Sequence, residues 1–98
     1  MTLQHSVSDA VLTVTPAGRL DSASAEDFAA YINEVFTAEL QTLVLDFKEV
    51  DFISSKGLRV LVTIYKELNG RQLRVINANP SVIDVFRLSG LLSLFIPQ

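Results

Sequence analysis

The chain has 98 residues, 49% of them hydrophobic and 19% charged, and a net charge of −3. That length and apolar content suit one core in a single domain, residues 1–98, and exclude a disordered polymer, while the acidic balance excludes a general nucleic-acid binder. With no cysteine and one histidine, His5, the chain lacks thiols for disulfides, catalysis or metal binding and lacks a clustered metal site, so neither metal nor cofactor is expected.

In chain order, Leu3 to Val7 and Val11 to Thr15 read as two strands turning through Ser8-Asp9-Ala10, with Pro16 and Gly18 punctuating the exit. Phe28, Ile32, Val35 and Phe36 then recur at helical spacing, so a helix is expected from Ser24 to about Ala38, with Ser24 and Asp27 as a cap. The run Thr42 to Phe47 predicts a central strand covered on both faces, and Lys48 to Ile53 reads as a loop.

Leu58, Leu61, Ile64, Tyr65 and Leu68 mark a second helix that stops at Asn69-Gly70. A strand at Leu73 to Ile76 follows. Asn79-Pro80 is a cap and first-turn pair that opens a third helix to Ser89; Gly90 ends it, and Leu91 to Ile96 is read as a terminal strand. The expected class is α/β, a mostly parallel mixed sheet with an antiparallel edge strand and three to four helices, in the order β-β-α-β-α-β-α-β.

No run approaches the ~20 apolar residues that span a bilayer, and the start lacks the pattern of a secretory signal. A cytoplasmic protein without direct membrane contact is the expectation. Charge is uneven: residues 1–51 hold nine acids against Arg19 and Lys48, a balance of −7, whereas residues 52–98 hold two acids against six bases, a balance of +4. Such a division suits a polarised docking surface and equally a mixture that folding scatters.

Chemistry concentrates at Phe52-Ile53-Ser54-Ser55-Lys56-Gly57-Leu58-Arg59, where an apolar segment ends in two hydroxyls as the second helix begins. A helix start offers unpaired N–H groups and the positive end of the dipole, so either hydroxyl can serve as a cap or carry a phosphate. Phosphorylation would add roughly −1.5 to −2 charges with little change of fold. Lys56 and Arg59 stand near enough to hold that phosphate or to meet an acidic partner, and they read equally as a solvated helix face.

Gly18-Arg19-Leu20-Asp21, Leu43-Val44-Leu45-Asp46-Phe47, Phe52 to Leu58, and Asn79-Pro80 through Gly90-Leu91 together resemble, in order and spacing, the STAS domains of bacterial anti-sigma factor antagonists. The resemblance implies the STAS fold and a phosphoprotein of partner-switching signal transduction, regulating transcription. Such a domain binds a serine kinase that doubles as an anti-sigma factor, is released when that kinase phosphorylates it, and is reset by a serine phosphatase. Adenine nucleotide and Mg²⁺ then belong to the kinase.

Many members of that family read Asp-Ser-Ser-Gly or Asp-Ser-Thr-Gly where this chain has Ser54-Ser55-Lys56-Gly57. Ungapped alignment puts Ser55 on the first hydroxyl and Lys56 on the second. Ser55 is therefore the expected phosphorylation site, with Ser54 second, and Asp21, Ser54, Ser55, Lys56, Gly57 and Arg59 form the expected partner-binding set. Asp46, Asn77 and Asn79 read first as turn and cap residues.

No Gly-x-Ser-x-Gly elbow and no glycine-rich phosphate loop is present, so an enzyme is not expected. The alternative role is an unphosphorylated STAS adaptor in a larger signalling or lipid-transport complex, which Lys56 favours. A monomer or weak dimer is expected in either case.

Overall fold

A computed structural model describes residues 1–96. Among them the order is β1 (Thr2–Ser8), β2 (Val11–Leu20), α1 (Ala25–Val35), β3 (Thr42–Asp46), β4 (Glu49–Ile53), α2 (Ser55–Glu67), β5 (Gln72–Ile76), α3 (Pro80–Leu88) and α4 (Leu92–Phe95). The expected class holds: β1 pairs antiparallel with β2 at one edge, and β3, β4 and β5 all join in parallel.

The ten-residue β2 organises the sheet. Val11–Val14 pair with β3 and Ala17–Leu20 with β4, while β1 occupies the opposite edge of β2 from Val11 to Ala17. The stretch read as a loop, Lys48 to Ile53, is therefore mostly strand. The outer half of β2 presents backbone groups that β3 is too short to reach, and β4 satisfies them. A register shift between Gly18 and Arg19 accommodates the junction.

Two in-register rows form the sheet's share of the core: Leu12, Leu43 and Leu73, then Val14, Leu45 and Val75, all buried. Onto them pack Phe28 and Ile32 of α1, Leu61 and Ile64 of α2, Val82 and Phe86 of α3 and Phe95 of α4. The alternate residues, Thr13, Val44 and Arg74 among them, are half-buried or exposed. The central strand is thus covered fully on one face rather than two; threonine in the alternate positions of β2 matches that half-solvated face.

The terminal segment also departs from expectation. Leu91–Ile96 turns into the short α4 instead of a strand, because Gly90 at φ +73° folds the chain back, Leu91 N–H bonds to Phe86 C=O, and the Phe95 ring packs at 5.0 Å from Phe86. An apolar run of strand length fits one buried helical turn equally well. At α1 the helix ends at Val35, and Ser24 makes no side-chain cap; its hydroxyl donates to Arg19 C=O at 2.7 Å.

Candidate functional site

The first turn of α2 lies where β2 and β4 end together. Leu20 pairs with Ile53, and Ser54 N–H donates to Leu20 C=O at 2.9 Å, so the chain leaves the sheet in a fixed direction. Ser54 is extended, at φ −91° and ψ 174°, and its hydroxyl oxygen accepts from Gly57 N–H at 3.1 Å. It is the helix cap. Ser55, the next residue, is exposed and takes no part in that cap.

Gly57 lies beneath this surface, buried. A Cβ there would stand 2.4 Å from Leu20 O and 3.0 Å from the Leu20 side chain. The missing side chain is what lets α2 approach the end of β2, and so what fixes the height of the serines; the residue seats the site from below rather than presenting a side chain on it.

Lys56 points toward α1, where its Nζ lies 3.3 Å from Glu26 Oε1, tying the starts of α1 and α2. Arg59 is exposed one turn below Ser55. Asp21 follows Leu20 directly and is therefore beside the serine pair. Its carboxylate accepts from Ala23 N–H at 3.0 Å and lies 3.4 Å from Arg19 Nε. Partial burial opposes its ionisation, but the Ala23 and Ser24 N–H groups and the Arg19 guanidinium together hold the carboxyl below its ordinary value.

All six expected residues thus gather at one end of the sheet, with five reaching its surface. Asp46 and Asn79 are structural: Asp46 accepts from Lys48 N–H and Asn77 Nδ2, and Asn79 caps α3. Two neighbours were given no role of their own from the sequence. Glu26, thirty positions from its partner, carries no local signal. Phe52 keeps 40% of its surface exposed, with the Arg19 guanidinium 4.3 Å above its ring; an exposed aromatic two residues before the cap is the mark that pattern reading passes over as core.

The arrangement has a nucleophile-bearing residue, and among the described residues no base is hydrogen-bonded to it. His5 bonds to Tyr31 on α1 instead. What the geometry offers is a seated helix start with one hydroxyl used in the cap and one presented to solvent.

A model of the STAS domain family matches residues 2–97. The chain is 36% identical over 89 residues to BtrV of Bordetella bronchiseptica, named as a candidate anti-sigma factor antagonist, with 89% of this chain and 77% of BtrV covered. The crystal structure of an anti-sigma factor antagonist from Mycobacterium paratuberculosis superposes with a TM-score of 0.87 at 27% identity, covering 99% of this chain and 86% of that one. The Bacillus cell fate determinant SpoIIAA in its phosphorylated form gives a TM-score of 0.70 at 24% identity, over 97% of this chain and 89% of its own, a likeness of fold.

Proposed function

The chain belongs to the STAS-domain family, and from that premise we propose that it is a cytoplasmic anti-sigma factor antagonist, a binding module rather than an enzyme, controlled by phosphorylation of Ser55. The unphosphorylated form docks on a serine kinase that is also the anti-sigma factor. In the switching step Ser55 Oγ attacks the γ-phosphorus of the kinase's ATP, ADP leaves, and the hydroxyl proton passes to the kinase or solvent. A serine phosphatase hydrolyses the phosphoserine and restores docking.

One observation carries this reading: Ser54 completes the helix cap, so the exposed Ser55 hydroxyl can be modified without costing α2 its N-terminal hydrogen bond. A phosphate there adds roughly −1.5 to −2 charges at the contact surface. Desolvating that charge against a partner shaped for a neutral hydroxyl opposes docking strongly.

The test is incubation with the serine kinase encoded nearest this chain's gene and ATP, followed by phosphosite mapping by mass spectrometry. Modification at Ser55 is expected, with kinase binding kept in Ser55→Ala and lost in Ser55→Asp. Equal binding by the two variants would overturn the switch. A second reading, an adaptor that is never phosphorylated, draws on Lys56: it occupies the family's second hydroxyl position and is engaged with Glu26. Stable complex formation regardless of ATP, with no phosphate found, would establish it.

A further inference from the structure

The cations of the described residues divide into two groups. Arg19, Lys48, Lys56 and Arg87 each lie within 4.0 Å of a carboxylate, those of Asp21, Asp46, Glu26 and Asp84. Among the described residues, Arg59, Lys66, Arg71 and Arg74 have no carboxylate at that range. Arg59 and Lys66 belong to α2, Arg71 directly precedes β5, and Arg74 lies in the middle of β5. Arg71 is committed inward, donating to the carbonyls of Leu68, Thr37 and Leu40 with its guanidinium stacked 4.1 Å from the Phe36 ring. Arg59 and Lys66 are exposed and carry no such commitment.

The helical repeat aligns them with the switch. Ser55, Arg59, Val62 and Lys66 follow one another at steps of four, three and four, which sets them on a single line opposite the buried Gly57, Leu61, Ile64 and Leu68. The line runs ~16 Å at the helical rise of 1.5 Å per residue. Three of its members are exposed and Val62 is half-buried, so it is a cationic ridge with one apolar step. Tyr65, one residue before Lys66, lines with Arg71, Gln72, Leu73 and Arg74 a groove of about 440 Å³ whose lining holds no acid.

We propose that this ridge docks an acidic surface of the kinase and that Arg59 and Lys66 determine which partner is accepted; the proposal rests on the Ser55 reading and supplies its physical cause. Phosphoserine at position 55 stands four residues N-terminal to Arg59, the order in which an acid and a base attract on a helix. The phosphate engages Arg59 within the chain and meets the partner's carboxylates with like charge. One modification thereby removes a cation and adds an anion at the top of the ridge.

A nucleic acid would also be drawn to unpaired cations. The ridge, however, has two free charges interrupted by Val62, and it lies beside α1, whose exposed Asp27 and Glu34 repel a polyanion. Locally placed carboxylates on a protein surface fit that mixture better.

The test measures binding of the full chain to the kinase that modifies Ser55, at low and high salt, with thermal unfolding as the check that each variant is folded. Lys66→Glu and Arg59→Glu should each weaken binding by roughly tenfold, mostly through slower association, and flatten its salt dependence. Glu67→Gln, on the α1-facing side of the helix, should stay within about twofold of the parent chain. Undiminished binding by Lys66→Glu, with Ser55→Asp still inactive, overturns the ridge and leaves the switch standing. Undiminished binding by both variants overturns the ridge and the Ser55 reading together. Tighter binding of a short duplex oligonucleotide than of the kinase, abolished by Lys66→Glu, reassigns the ridge to nucleic acid and overturns the proposal.

Discussion

Helices α2 and α3 each begin on an extended residue whose side-chain oxygen accepts from the N–H three positions on, Ser54 from Gly57 at 3.1 Å and Asn79 from Val82 at 2.9 Å. At α3 the capping amide is used twice, since its Nδ2 also donates to Val50 C=O at 3.1 Å, and the next residue, Pro80, has neither an N–H nor a functional group to offer. At α2 the cap uses one hydroxyl and the next residue supplies another. Both helix starts satisfy the same backbone requirement. At α2 an exposed hydroxyl, that of Ser55, stands directly after the cap, whereas at α3 the nearest, that of Ser81, comes one residue later, behind the proline, and that placement is what sets the start of α2 apart.

Gly57→Ala should break the α2 joint most severely. Its new Cβ would fall 2.4 Å from the Leu20 carbonyl oxygen, a backbone atom that already accepts the Ser54 N–H, so relief requires α2 to move off β2. A loss of about 3 kcal/mol is expected by denaturant titration, at the upper end for overpacking because backbone rather than a flexible side chain must yield.

Next in size is the contrast between the caps. Asn79→Ala removes the cap and a bond to β4 together and should cost about 2 kcal/mol, whereas Ser54→Ala removes a cap alone and should cost about 1 kcal/mol. Equal losses would mean that the Asn79 bond to Val50 adds nothing. Ser55→Ala should leave stability within about 0.5 kcal/mol of the parent chain while abolishing phosphate incorporation. A larger loss would show that Ser55 shares the capping.

Much of this contrast was legible in the residues. Helical spacing located α1, α2 and α3, and serine or Asn-Pro before an apolar stripe marked where α2 and α3 start. The division of labour between Ser54 and Ser55 was not legible, because either is a good cap and only backbone geometry chooses. Strand β4 was hidden because its buried residues, Val50 and Ile53, are three apart and lose the two-residue alternation at an irregular pairing. It exists to meet β2, a tertiary demand without a local signature. The same holds for α4, decided by Phe86, and for Lys56, whose partner Glu26 lies on another helix.

The smallest expected effect concerns the third helix start, that of α1, which differs from the other two in depending on a carboxylate. Ser24 is turned away to Arg19 C=O, and Asp21 accepts the Ala23 N–H in its place. Burial works against the Asp21 charge, but the N–H groups of Ala23 and Ser24 and the Arg19 guanidinium outweigh it, so the carboxyl titrates below its ordinary value of 3.8. A group depressed in this way stabilises the fold above its unfolded pKa, and that contribution is lost as pH falls through the lower folded value. Asp21→Asn should therefore lie below the parent chain in stability near neutrality and converge on it in acid, with the change confined below roughly pH 5. Glu39, held down by the Thr37 hydroxyl, titrates in the same window; it is common to both proteins, so the difference between their denaturation curves isolates Asp21. A gap that stays constant from neutral pH into acid would show that Asp21 acts through turn geometry alone.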